Sequence, residues 1–204
     1  MEDPGIGGRD AVPAEGVQVG TAFAFCAESS LLEECKRVLA DQGFAGTAQV
    51  FTDPQSSPTG FPFKAAQLEG SASESEVYAG RPRICDIGYL REAYRTADGA
   101  IGYRCAAEPV AAYVAKGGRA EKAVGKKCLC NALLANIGHP QIRNGAGIEP
   151  CLITCGDDLN ELNRFLSIKG GSYSAADVVE VLLRSSGKLT NRTSAAAVCD
   201  AAGH

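Results

Sequence analysis

Two groups of residues in this sequence have types and spacings suited to chemistry. The first is Gly20-Thr21 with Gln18 and Val19 before it, inside GVQVGTAF at 16–23. A glycine lets backbone approach a ligand closely, and successive N–H groups from Gly20 and Thr21 can converge on an anion such as a phosphate. The same residues also suit a plain strand-to-helix turn. The second group is Cys128-x-Cys130, with Cys85 and Cys105 available. Four thiolates can hold zinc or an iron–sulfur cluster. Zinc pairs are usually separated by about two to four residues, so the single-residue spacing departs from that pattern. Small apolar side chains packed in a loop-rich region are the other reading. Cys151 and Cys155 make a further pair with nothing nearby to reinforce it.

The remaining titratable residues carry less. His139, between Gly138 and Pro140, reads as a solvated loop residue without the orienting partner a base needs, and His204 is the terminal residue. Asp157-Asp158 open an apolar-periodic segment, where carboxylates complement a helix dipole. Arg91-Glu92 and the mixed charges from Arg104 to Glu108 read as solvated faces or weak ion pairs.

The elements that must position these residues follow from local pattern. Alternation over 16–25 predicts a strand. Ser30-Leu31-Leu32-Glu33 fits a capping box, Leu31, Leu32, Cys35, Val38 and Leu39 follow at helical spacing, and Gly43 marks a stop. AQVF at 48–51 is a short strand candidate, and Pro54, Pro58 and Pro62 make 53–64 a loop. A helical turn is expected at 74–79, and IGYLREAY at 87–94 has an amphipathic face. Asp98-Gly99 marks a hairpin turn. Further helices are expected at 108–115, closed by Gly117-Gly118, at 128–137 as a buried element, and at 157–166. The clearest runs over 174–183, with Ser174 as cap, Asp177 at the third position, and Ala175, Val178, Val179, Leu182 and Leu183 as its stripe.

The composition sets outer bounds. The chain has 204 residues, 45% hydrophobic and 22% charged, enough for a core of ordinary globular type. A net charge of −4 without a basic cluster argues against nucleic acid or an anionic membrane as partner. No apolar run approaches the ~20 residues needed to span a bilayer. MEDPGIGGRD lacks the basic and apolar regions of a signal peptide. Nine cysteines is an odd count, so mostly free thiols in a reducing cytoplasm are expected.

Several ordered strings carry a family resemblance beyond GVQVGTAF. They are SPTGFPFK at 57–64, QLEG at 67–70, CDIGYLREAY at 85–94, GYRCAAEPV at 102–110, KCLCNALLANIG at 127–138, GDDL at 156–159 and SYSAADV at 172–178. Together they resemble the C-terminal part of the nitronate monooxygenase (2-nitropropane dioxygenase-like) flavoprotein family, in a branch with a C-terminal extension. The resemblance implies a TIM-type (β/α)8 barrel in which the Gly-Thr loop follows the last strand and cradles the phosphate of FMN. On that basis Gln18, Val19, Gly20 and Thr21 are the cofactor-binding residues. A small molecule, a nitronate or nitroalkane, would be the substrate, oxidised through the flavin with O2.

Such a barrel needs ~250 residues, nearly all before its last strand. Only fifteen precede Gly16 here. The expected fold is therefore α/β: the last strand–helix unit and closing segment of a barrel (1–64), a mainly helical, loop-rich extension (65–186) and a disordered tail (187–204). The isolated chain is expected to be inactive, since the family's catalytic base belongs to an earlier strand. Two alternatives stand beside this reading: a flavin-dependent enoyl reductase of the same barrel type, and a non-enzymatic thiolate-metal or partner-binding module in 65–186.

Overall fold

The structure, a computed structural model, describes residues 18–143, 147–169 and 172–185. The expected tail at 187–204 and the first residues of the expected strand at 16–25 lie outside the described residues. Where that strand should continue, the chain turns into a short helix, α1 (Thr21–Ala24). Ala24 N–H donates to Gly20 O and Phe25 N–H to Thr21 O. Ala22 and Phe25 are both buried, and their three-residue spacing fits a helical turn facing a core rather than an alternating strand.

The long helix α2 (Glu33–Phe44) starts without the expected capping box; Leu32 holds the N-cap position and no side chain caps it. The reason is Lys36. Its buried ammonium donates to Cys26 O (2.9 Å), Ser29 O (2.8 Å) and Glu33 Oε1 (2.8 Å), so Glu33 serves a cation instead of reaching back to Ser30. Cys35, Leu39 and Gly43 face inward at four-residue spacing. Gly43 lies inside the last turn rather than beyond it. A Cβ there would come within 2.8 Å of Leu159 Cβ, so the glycine serves close approach.

Three two-stranded antiparallel sheets follow. In the first, β1 (Val50–Asp53) pairs with β2 (Phe63–Ala66) across the proline-rich loop, Val50 opposite Ala66 and Asp53 opposite Phe63. The far edge of β2 binds segment 151–154, with Ala66 N–H donating to Ile153 O. After α3 (Ser75–Gly80) comes the hairpin predicted at Asp98-Gly99, β3 (Glu92–Arg95) with β4 (Ile101–Arg104). Gly99 has φ +87°, the left-handed conformation that the turn needs. Residues 92–94 thus belong to a strand rather than to an amphipathic helix.

Helices α4 (Val110–Ala115), α5 (Ala120–Ala123) and α6 (Leu129–Asn136) lead to the third sheet, β5 (Ile142–Arg143) with β6 (Gly147–Ile148). A 3₁₀ turn (Leu159–Leu162) runs into α7 (Asn163–Lys169), and α8 (Ala175–Ser185) ends the described chain. The capping box of α8 forms as expected: Asp177 N–H donates to Ser174 Oγ, and Ser174 N–H donates to Asp177 Oδ2 at 2.7 Å. Its apolar stripe is rotated from expectation. Val178 is buried and Ala175, Val181 and Leu182 pack beside it, while Val179 and Leu183 are exposed.

The largest core gathers Ala22, Phe25, Leu39, Ile153, Leu159, Leu162, Tyr173 and Val178, drawing on both ends of the described chain. The architecture is mixed α/β, with only antiparallel sheets and no closed barrel among the described residues. Among those residues no helix is long and apolar enough to cross a membrane.

Candidate functional site

The Gly-Thr segment sits at the edge of the main core. Gln18 and Gly20 are exposed, Thr21 is half-buried, and Val19 packs against the core. Gly20 has φ −114°, which any residue adopts, and the position a Cβ would take is open space. The backbone therefore makes no special demand for glycine here. Thr21 Oγ1 accepts a 2.8 Å hydrogen bond from Gly156 N–H, and a Cβ on Gly156 would lie 2.9 Å from that oxygen. Tyr173 OH donates to Ala22 O at 2.7 Å, Ala27 N–H donates to Tyr173 O, and Ala175 N–H donates to Glu28 Oε2. Accepting that last bond holds the Glu28 carboxyl below its ordinary pKa.

The four cysteines singled out by spacing do come together. Cys105, Cys128 and Cys130 are buried in one cluster with Ala107, and half-buried Cys85, Ile87 and Leu90 pack against it. Among the described residues no group of three or more His, Cys, Asp or Glu side chains is placed to hold a metal ion. Instead, the thiols are drawn into an apolar nest with aliphatic neighbours.

Local sequence explains the arrangement around Cys85. Gly88 adopts φ +75°, and this turn folds Arg91 back, its N–H donating to Gly88 O. Arg91 Nη2 then donates to Cys85 O at 2.6 Å. A Cβ on Gly88 would lie only 2.5 Å from Arg91 Nε. Across from it, Cys105 is held on a tight turn: its N–H donates to Glu108 Oε1, and Glu108 N–H donates to Cys105 O. The Arg83 guanidinium fastens that loop through the carbonyls of Ala106, Glu108, Ala123 and Lys126.

The thiol electrostatics are uneven. The neighbouring Cys105 thiol, with the Arg91 guanidinium, brings the Cys85 pKa down to about 6, against burial and the Glu108 charge. Cys105 is correspondingly pushed up by Cys85 and by burial. Burial raises Cys128 to about 11 and raises Cys130 as well. A second pair, Cys35 with Cys151, repeats the contact without a cation. The Cys151 thiol lowers Cys35 to about 7 and is itself raised.

An ionic frame surrounds the cluster, and its members were not visible in the sequence. Arg81 and Glu149 form a buried pair at 2.7 Å, Lys127 and Asp53 another at 2.8 Å, and Arg143 joins Asp86 (2.8 Å) to Glu149 (3.7 Å). Asp53, Tyr78, Arg81, Arg83 and Lys127 line a cavity of ≈450 Å³. The charges expected to be merely solvated are more deeply engaged. Glu108 is buried and pairs with Lys116, and Arg104 pairs with Glu92 while lying over the Tyr94 and Tyr113 rings. Exposed Asp157, expected at a helix dipole, pairs instead with Lys64 at 2.6 Å, and His139 is exposed. The one local signal for the Arg91 contact was the Gly88 turn three residues before it.

No family profile, curated protein or solved structure matches this chain.

Proposed function

We propose that this chain acts as part of an FMN-dependent oxidoreductase of the nitronate monooxygenase class, a TIM-type barrel enzyme, and holds the phosphate end of the flavin with Gln18, Val19, Gly20 and Thr21. FMN would supply the redox chemistry, accepting electrons from a nitronate and passing them to O2. The reading rests on the ordered motifs, and one observation favours treating them as a single unit. The Gly-Thr segment is fastened by the distant motifs themselves: Thr21 by Gly156 of GDDL, and Ala22 by Tyr173 of SYSAADV. The residues fit a phosphate in kind. Thr21 accepts from Gly156, which leaves its own hydroxyl hydrogen to donate, and the space beside Gly20 is open.

Binding that engages the phosphate end must discriminate FMN from riboflavin, which lacks the phosphate. Titrating the purified chain into each flavin and following fluorescence is expected to show FMN bound more tightly, with inorganic phosphate competing. Equal affinity, or none for FMN, would remove the flavin assignment. Flavin reduction driven by a nitronate anion, compared with that of free FMN, tests the reaction class separately.

A further inference from the structure

The geometry points to Cys85 and Cys105 as a peroxide-reactive thiol pair, in which Cys85 is the attacking thiol and Cys105 the resolving one. The inference is independent of the flavin reading. Two cysteines twenty residues apart in sequence are brought into one cluster by two separate tight turns, half-buried Cys85 packing against the group that holds buried Cys105. The Gly88 turn lays the Arg91 guanidinium over the Cys85 end, and the Cys105–Glu108 turn fixes the other side.

Accessibility assigns the roles. Cys85 is half-buried and reachable from solvent, whereas Cys105 is only 2% exposed. An oxidant therefore meets Cys85 first. Charge assigns them the same way. The groups facing Cys85 are the Arg91 guanidinium, the Glu108 carboxylate and the thiols of Cys105 and Cys128, with Cys130 in the same cluster. The neighbouring Cys105 thiol and the cation outweigh the carboxylate, so the balance favours the thiolate, the form that reacts.

The chemistry closes with one hydroperoxide, hydrogen peroxide being the smallest. The Cys85 thiolate attacks a peroxide oxygen. An S–O bond forms, the O–O bond breaks, and hydroxide leaves as water after taking up a proton. The Cys105 thiol then attacks the sulfenic sulfur. The S–S bond forms, the S–O bond breaks, and a second water leaves with the Cys105 proton. Two thiols lose two electrons, and one peroxide gains them.

The magnitude is read best at mildly acidic pH. At pH 6 about half of a thiol with pKa about 6 is thiolate, against roughly 0.3% of an ordinary free thiol. The lower nucleophilicity of a more acidic thiol offsets roughly 15-fold of that advantage, leaving about tenfold. Cys85 is thus expected to alkylate at pH 6 about tenfold faster than free cysteine. Cys151 and Cys155, the other half-buried described thiols, have raised pKa values and are slower still.

The experiment uses the reduced full chain treated with equimolar hydrogen peroxide, alkylated, digested with trypsin and analysed by mass spectrometry. Cleavage separates the two thiols, so the expected product is peptide 84–91 joined to peptide 105–116. Cys105→Ser should instead leave a sulfenic acid on Cys85 that dimedone traps. Arg91→Gln, a change at an exposed side chain, should slow Cys85 alkylation at pH 6 several-fold and move its pH profile upward. Joined peptides dominated by Cys128 or Cys130, failure of Cys105→Ser to trap a sulfenic acid, or stoichiometric zinc or iron in the untreated chain would each overturn the assignment.

Discussion

The molecule holds two thiol pairs in two differently built regions, and they differ in what surrounds them. Cys35 and Cys151 meet beside the apolar core made by α2, the 3₁₀ turn and α8, where the neighbours are Leu39, Leu159 and Val178. Cys85 and Cys105 meet in a region organised by ions: Arg81 with Glu149, Lys127 with Asp53, Arg143 with Asp86, and Arg83 on four carbonyls. The thiol–thiol contact is the same in kind, and in each pair it lowers one partner, the buried Cys35 in the first and the half-buried Cys85 in the second. Only the ionic region adds a cation, and only there is the lowered thiol the one that solvent reaches, because Cys35 is buried behind half-buried Cys151. Reactivity is thus a property of the setting, and a thiol pair in a hydrocarbon core remains packing material.

The difference is sharpened most by breaking the ionic frame. Glu149→Ala leaves the buried Arg81 guanidinium without its carboxylate and is expected to cost about 3–5 kcal/mol, read by chemical denaturation. If the regions are separable, buried Cys130 becomes alkylatable in this variant before buried Cys35 does. Simultaneous exposure of the two thiols would show a single cooperative unit and dissolve the contrast.

A matching change in the apolar region is Gly43→Ala. Its new methyl would meet Leu159 Cβ at 2.8 Å and Leu159 backbone at 2.9 Å, both unable to swing away. Overpacking of this kind costs about 1–3 kcal/mol. Hydrogen exchange should show the loss in α2 and around residues 159–162, with α6 little changed.

Acid should also act on the ionic region first. Burial raises the Asp53 carboxyl pKa, but the Lys127 ammonium and the Gln55 N–H outweigh it, and the net shift is downward. A depressed carboxyl contributes stability that is complete above its ordinary pKa of 3.8 and is lost as the pH falls below that value. Asp53→Asn should flatten this acid limb in a pH series of denaturation midpoints. An unchanged limb would show that the Lys127 pair is not its source.

The smallest effect is expected at the one helix whose start was fully legible. Ser174→Ala removes the hydroxyl that accepts from Asp177 N–H and should cost about 1 kcal/mol. Thermal denaturation of this variant also calibrates the larger losses above.

Ser174 and Ser30 show how far local signals reach. Both begin a capping-box pattern, yet only Ser174 forms one, because near Ser30 a buried ammonium from Lys36 claims Glu33 and the carbonyls of Cys26 and Ser29. Likewise Asp98-Gly99 made its hairpin, since the tight loop needs a left-handed residue and Gly99 supplies it. The 16–25 alternation did not continue as a strand, since Ala22 and Phe25 found their core on one face of a helical turn. The spacing of the cysteines pointed to their importance but not to their arrangement.

The sequence by itself determined the local elements: turns that need a left-handed glycine, the α8 cap, the buried α6 run, and a set of motifs in fixed order. These depend on backbone conformational preference and side-chain period, which act over a few residues. Tertiary structure alone decided that Thr21 is tied to Gly156, that Arg81 meets Glu149, and that Cys85 rather than Cys35 combines a cation with exposure. Those outcomes depend on which distant groups share a low-dielectric space, and only the folded chain sets that.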